Sequence, residues 1–326
     1  MGEFEAIAAL FAPLTRGAPG AFGLTDDAAL LSAPGDLIVT ADALVAGVHF
    51  LPDDPLDSVG WKLAAVNISD LTAKGSRPTG ALLTLCWPHG RPLEDAEAFA
   101  RGLGAALDAI GTGCPLLGGD TTGTPGPLAV SLTLFGAPLG AGMVRRAGAA
   151  PGDVIAVTGA IGDGGLGLAA ARGEAGFGDI DRAVLAEAWR RPQPPVALAG
   201  AIAAHACAAL DVSDGLLADL GHLARASGIG IDLDLAAVPV SDAASRWLAG
   251  QTDRLAGLMR LATAGDDYQT VMAVRPDDWP ALSAAAEAAG VRLSRIGGCA
   301  AGSGVRVLGP GGVQIEPAGV GGWTHF

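Results

Sequence analysis

Lysine is nearly missing from this chain: of 326 residues, only Lys62 and Lys74 carry it. With a formal net charge of −14 and a pI near 4.6, the chain offers no basic face to a phosphate backbone, which excludes nucleic acid as a partner. If such a protein handles phosphates at all, arginines or bound cations must neutralise them. Cysteine is sparse as well. Cys86, Cys114, Cys207 and Cys299 stand far apart with no C-x-x-C pair, so neither a zinc site nor a disulfide framework is expected, only core thiols in a reducing compartment. Mean hydropathy is high, +0.41, yet no apolar run approaches the roughly 18 residues of a spanning helix without a charge or a Gly-Pro break. The first residues, MGEFEAIAALFAPL, carry acids instead of a basic n-region, and a cytoplasmic protein without a membrane partner is expected.

Several chemistries lack their signatures. There is no G-x-x-x-x-G-K-[ST] phosphate loop. Ser213 sits in D-V-S-D-G and not in the G-x-S-x-G of a serine hydrolase. The five histidines form no H-x-x-H or H-x-x-x-H pair, which sets zinc and iron behind a hard, oxygen-bound ion such as Mg²⁺. Gly162 to Gly167 spells G-x-G-x-x-G between a strand and a helix, with Asp179 or Asp181 near the acidic position of a dinucleotide fold. Among 50 glycines that match is cheap, and a turn at a helix N-terminus is the preferred reading.

What is present is length enough for two domains and an alternation of strand and helix patterns in both halves. Expected strands include Ala28–Ser32, Leu37–Thr40, Val45–Phe50, Thr79–Trp87, Cys114–Gly118, Asp153–Thr158 and Gln269–Val274; expected helices include 3–11, 55–74, 93–110 and 216–227. The fold class is therefore α/β or α+β, with a boundary in the Gly/Ala/Pro-rich segment 136–151. Domains are placed at 1–140 and 141–326. The helix over 55–74 is apolar on more than one face, and Asp70 continues its stripe Val59, Leu63, Val66. A buried Asp70 needs a positive partner, either Lys74 one turn on or a metal ion.

Aspartates recur where strands are expected to end: Asp26-Asp27, Asp42, Asp70, Asp120, and Asp211 with Asp214. Each alone suits a cap or turn; Asp214 could simply cap the helix that follows. Together, in a chain this poor in lysine, they suit several Mg²⁺ ions holding a nucleotide phosphate.

The motifs DDAALL, TADALVAGVHF, AVNISDLTAKGS, LLGGDTT, RRAGAAPGD, VTGAIGD, ALDVSDGLLADLGHLA, GDDYQ and GWTHF, in this order, resemble those of the thiamine-monophosphate kinase family, within the aminoimidazole-ribonucleotide synthetase superfamily. The resemblance implies ATP-dependent conversion of thiamine monophosphate to thiamine diphosphate. It also implies an N-terminal mixed-sheet domain paired across a homodimer, a C-terminal α/β domain, and an active site in the cleft they form. Position by position it implies Mg²⁺ ligands at Asp27, Thr40, Asp42, Asp70, Asp120, Asp211 and Asp214. Nucleotide contacts would fall at Gly119, Arg146 and Ser213, and thiamine monophosphate contacts at His49, Asp266 and Trp323. Asp42, Asp120 and Arg146 would carry catalysis. The chemistry is compatible, since Arg146 can fork onto phosphate oxygens, Trp323 offers a flat apolar face and Asp266 can accept from an aminopyrimidine.

The chain departs from the family pattern at Thr25 and Ala264, each in place of a glycine, at Ala41 in place of a hydroxyl residue, and at Asp266 in place of a glutamate. The shorter acid bears on acceptor binding. Two rival readings remain. One is another ATP-using member of the superfamily, such as a selenophosphate synthetase or a hydrogenase-maturation dehydratase; the first would need a reactive cysteine and a lysine near the N-terminus, and here neither precedes Lys62 and Cys86. The other is a non-catalytic binder of nucleotide or thiamine phosphate.

Overall fold

A computed structural model describes residues 7–24 and 35–315. The expected strand Ala28–Ser32 and the site candidates Asp27 and Trp323 lie outside the described residues. The described residues fall into two compact units, one running up to Leu71 and including Ser76–Leu139, the other comprising Thr72–Gly75 and the chain from Gly140 onward. Both mix helices with a sheet, as an α/β reading requires.

The first unit contains β1 (Ile38–Val45), most of α1 (Leu56–Ala73), β2 (Ser76–Pro88), α2 (Leu93–Ala109), β3 (Leu116–Thr124) and β4 (Ala129–Pro138). Its sheet has the order β1-β4-β2-β3, antiparallel except where β3 runs parallel to β2. Every residue of α1 from Ser58 to Ser69 is buried, as expected of a helix apolar on several faces. Its close neighbour is α2. A Cβ on Gly60 would sit 2.2 Å from the Phe99 carbonyl oxygen, and one on Gly102 only 1.7 Å from that of Asp57, so glycine is what lets the two backbones touch. Within α1, Lys62 is almost fully buried, and its Nζ donates to the His49 carbonyl at 3.0 Å.

Two strand boundaries differ from expectation, and both matter for the site. β1 does not stop at Thr40. Ala43-Leu44-Val45 continue the alternation and pair with β4, so Asp42 stands in mid-strand opposite Leu132 and not in a loop. β3 continues through Gly118-Gly119-Asp120 to Thr124, where a Gly-Gly pair reads as a break. In place of a strand over Val45–Phe50 there is a tight turn closed by an Ala46–Phe50 bridge, with Gly47 at φ +80°.

The second unit carries a seven-stranded sheet of order β11-β10-β7-β9-β5-β8-β6. Its strands are β5 (Val154–Thr158), β6 (Ala206–Asp211), β7 (Gly230–Asp234), β8 (Thr270–Val274), β9 (Leu293–Ala300), β10 (Gly304–Leu308) and β11 (Gln314–Ile315). The helices are α3 (Asp163–Ala171), α4 (Asp179–Arg190), α5 (Ala199–His205), α6 (Leu216–Ser227), α7 (Asp242–Ala249), α8 (Arg254–Thr263) and α9 (Trp279–Ala288). β5 and β8 are buried along their whole length, which is why VIAVT and TVMAV read as unbroken apolar runs. Ile155, Val157, Val271 and Ala273 enter one core cluster, while Ala156, Met272 and Val274 enter another. That alternation is the period of two that sends successive side chains to opposite faces of a sheet. Lys74 donates from Nζ to the Ala209 carbonyl at 2.7 Å. The four cysteines are free thiols, and among the described residues no helix is long and apolar enough to cross a membrane.

Candidate functional site

In the first unit the site candidates gather where β1 meets α1. Thr40 Oγ1 donates to Asp70 Oδ2 at 2.5 Å. One turn before Asp70, the fully buried Asn67 accepts from the Asp42 amide at 3.0 Å and donates from Nδ2 to the Leu63 carbonyl at 2.9 Å. Ser131 on β4 donates to the Asp42 carbonyl at 2.9 Å. Asp42 is thus held by its backbone, and its carboxyl shares this corner with that of Asp70. Burial, and then the charge of Asp70, push the Asp42 carboxyl up to about 6. Two acids in one partly buried corner disfavour their charged forms unless a cation intervenes. Hydroxyl and carboxylate oxygens are the donors that Mg²⁺ takes, so the donor set fits such an ion.

Asp70 itself is only half-buried, a correction to the sealed position expected of it. The burial of α1 ends at Ser69, one residue earlier, and leaves the acid at the rim.

Asp120 does not join Asp42 and Asp70. It stands on β3 at the opposite edge of the sheet from β1, three strand spacings or roughly 14 Å away. Its register row runs through Thr84, Ser131 and Ala43, whereas Asp42 shares a row with the buried Leu132 and Leu83. Gly119 has a structural use, since a Cβ there would lie 1.9 Å from the Leu83 carbonyl oxygen. His49 closes its own turn, its Nδ1 accepting from the Val45 amide at 3.1 Å.

In the second unit β6 ends at Asp211, which is buried opposite Thr270, and the chain turns through Val212-Ser213-Asp214-Gly215 into α6. Asp214 is not the helix cap; Gly215 occupies that position without a side-chain bond. Asp219, one turn into the helix, reaches back, and its Oδ2 accepts from the amides of Ser213 at 3.1 Å and Asp214 at 3.2 Å. Burial and then the charge of Asp214 raise the Asp219 carboxyl to about 7. Ligand atoms of Asp214, Asp219 and His222 lie within 4.8 Å of one another, the one such group of three acids, histidines or cysteines among the described residues. Burial lowers the His222 pKa first, and the nearby Arg146 charge lowers it further. Arg146 is itself exposed. Its segment is tied to the end of α6, where Ser227 Oγ donates to the Arg146 carbonyl and accepts from the amides of Gly148 and Ala149, each at 3.2 Å.

The segment Gly265 to Gln269 is zipped to this loop. The Asp266 amide donates to the Ser213 carbonyl at 2.9 Å and the Tyr268 amide to that of Val212 at 2.8 Å. Asp266 and Tyr268 have φ of +68° and +51°, which costs roughly 1–3 kcal/mol at each non-glycine position; the surrounding hydrogen bonds hold the shape. Asp266 accepts from Trp189 Nε1 at Oδ2 and from the Tyr268 hydroxyl at Oδ1, both at 2.8 Å. Its neighbour Asp267 points the other way and is buried. Its two oxygens accept from the amides of Gly162 and Gly164 at 2.8 and 2.9 Å. Those amides open α3, so the G-x-G-x-x-G turn is already occupied by an internal carboxyl group where a dinucleotide fold would hold a pyrophosphate.

Asn67, Asp219, His222, Trp189, Tyr268 and Asp267 were missed by sequence reasoning. Two signals were available: Asn67 and Asp70, like Asp219 and His222, stand three apart on a helix and so share a face. Trp189 is 77 residues from Asp266, and nothing in its local sequence marks it.

Residues 25–137 match the family described as AIR synthase related protein, N-terminal domain, and residues 150–309 match the corresponding C-terminal domain. A thiamine-monophosphate kinase of Caulobacter vibrioides is 49% identical, the match covering 99% of this chain and 90% of that protein. The crystal structure of a thiamine-monophosphate kinase from Stenotrophomonas maltophilia K279a superposes with a TM-score of 0.80 at 37% identity, over 92% of this chain and 96% of that one. A structure described as AaThiL complexed with AMPPCP and TMP gives a TM-score of 0.78 at 30% identity, over 89% and 87%. With both halves of the superfamily present and near-full-length relatives at this identity, the chain belongs to the thiamine-monophosphate kinase family of AIR synthase related proteins.

Proposed function

We propose that this chain transfers the γ-phosphoryl group of ATP to thiamine monophosphate, giving ADP and thiamine diphosphate. The observation that carries the reading is the acid corner of β1 and α1, where Asp70 helps to raise the Asp42 carboxyl to about 6. Such a corner is built for a hard dication. Thr40, Asp42 and Asp70 would hold Mg²⁺ there; by family resemblance Asp27 is a further Mg²⁺ ligand, as are Asp120, from the opposite edge of the sheet, and Asp211 and Asp214 in the second unit. Held by these residues, Mg²⁺ would supply positive charge that offsets that of the triphosphate.

The chain's own groups position the reactants. Arg146 forks onto phosphate oxygens, Ser213 and Gly119 contact the nucleotide, and His49, Asp266 and Trp323 contact thiamine monophosphate, Asp266 by accepting from the ring amine. The attacking atom is a terminal phosphate oxygen, largely deprotonated near neutral pH. It forms a bond to the γ-phosphorus as the bond to the β–γ bridging oxygen breaks, and ADP leaves. No protein base is needed, so catalysis is alignment plus charge neutralisation by Asp-held cations and Arg146.

The protein acts in the cytoplasm as a homodimer paired through the first unit's sheet, whose edge strands β1 and β3 a second copy would cover. Light scattering showing a monomer at working concentration would contradict the dimer. The decisive experiment is ADP release with ATP, Mg²⁺ and thiamine monophosphate, compared with thiamine and other phosphorylated acceptors. Turnover confined to thiamine monophosphate is the expected result. Calorimetric binding of both ligands without ADP formation would replace the kinase with a binder.

A further inference from the structure

The Asp266 carboxylate is gripped from two sides, and neither grip is used by the chemistry above. Trp189, on α4, is 2% exposed, and its indole N–H ends on Asp266 Oδ2; the Tyr268 hydroxyl ends on Oδ1. The post that carries the indole is rigid. A Cβ on Gly167 of α3 would lie 2.2 Å from the Leu185 carbonyl and 2.6 Å from the Trp189 Cβ, so α3 and α4 are pressed together just where the tryptophan leaves its helix. Tyr268 is buried too, and its backbone is pinned to Val212. Asp266 alone of the three is partly exposed. A carboxylate offers about four acceptor sites, two on each oxygen. An aspartate stands here where the family pattern has a glutamate; its shorter side chain is braced at both oxygens.

We infer that Trp189 and Tyr268 are positioning residues that fix the plane and reach of the Asp266 carboxylate, and so set the preference for a phosphorylated acceptor bearing an aminopyrimidine. The inference rests on the reading that Asp266 faces the acceptor. A carboxylate held in one plane rewards an amine placed to donate to it and repels a ring oxygen at the same place. A carboxylate free to rotate does both less well. Neither aromatic residue touches ATP chemistry in this scheme, which separates their effects from those of the metal-binding acids.

The test is steady-state kinetics of Trp189→Phe, Tyr268→Phe, Asp266→Ala and Trp189→Phe/Asp266→Ala with ATP, Mg²⁺ and either thiamine monophosphate or its 4-oxo analogue. Each Phe variant should raise the KM for thiamine monophosphate about fivefold, leave kcat and the KM for ATP within about twofold, and narrow the preference for amine over oxo. In the Asp266→Ala background, Trp189→Phe should add nothing. Tyr268 is the chain's single tyrosine, so 3-fluorotyrosine labelling yields one ¹⁹F resonance, which should shift with thiamine monophosphate and not with ATP alone. If Asp266→Ala raises the KM and neither Phe variant does, or if the Phe variants raise the KM of both substrates together with a lowered melting temperature, the brace is refuted while the Asp266 reading stands. If Asp266→Ala leaves KM and preference unchanged while turnover persists, the placement of Asp266 falls and the inference with it, and the kinase reading stands. Absence of turnover in the unaltered protein strikes the kinase reading itself.

Discussion

Aspartates withdrawn from solvent, in part or in full, serve opposite ends in the two units. In the first, Asp42 and Asp70 share a corner where the Thr40 hydroxyl donates to Asp70, and burial and then the charge of Asp70 raise the Asp42 pKa. In the second, Asp267 and Asp219 each take two backbone amides. The latter acids are fasteners: they close a helix entrance and a loop by accepting from N–H groups inside the fold, although burial raises the pKa of both. The former are answered less completely, and the proposed dication would complete them. An aspartate count is therefore a poor guide to ligands, and the donors around each acid are a better one.

The sharpest way to break this comparison is Asp42→Asn. It should lower turnover by at least about 1000-fold, near 4 kcal/mol in the barrier, with the melting temperature unchanged or raised because a buried repulsion is relieved. Turnover close to that of the unaltered enzyme would remove Asp42 from the mechanism. Asp267→Ala should do the reverse and cost roughly 3 kcal/mol of stability in urea unfolding, since two buried amides lose their acceptor. An unchanged midpoint would show that Asp267 is no fastener.

A smaller effect sharpens the contrast through pH. Without Mg²⁺, the folded Asp42 carboxyl titrates near 6 against 3.8 in its ordinary state. Between those values the unfolded chain gives up its proton first, so the fold is favoured below the window and loses stability as pH rises through it, by about 3 kcal/mol at most. Added Mg²⁺ should offset the loss above pH 6, and Asp42→Asn should flatten both responses; melting curves across the range with and without Mg²⁺ would show either outcome. Smallest of all, Ser227→Ala frees the Arg146 segment from α6 and should raise the KM for ATP about two- to threefold with little change in stability. A lower KM would count against Arg146 as a phosphate contact.

Much of the fold was legible because it follows from local pattern. The apolar runs of β5 and β8 and the multi-faced apolar helix α1 declare themselves in the local sequence. The errors came where tertiary pairing overrides local signals. Gly118-Gly119 reads as a break, yet β3 runs through it because β2 lies too close for a side chain at Gly119. Asp42 reads as the end of a strand, but β4 extends the pairing to Val45. In the candidate site, motif spacing brought out Asp42, Asp70 and the Asp211–Asp214 loop. It could not reveal that β1 and β3 occupy opposite edges, which sets Asp120 apart, nor that Trp189 meets Asp266 from another helix. Such facts reside in strand order and helix packing, which no short window encodes.

The burial of Lys62 has a practical consequence. Both side-chain amines of this protein end on carbonyl oxygens, and one of them is sealed inside α1. Acylating reagents can reach Lys62 only when its helix parts from its neighbours, so the rate at which that amine is modified becomes a clock for the opening of the first unit, read by mass spectrometry without any engineered label.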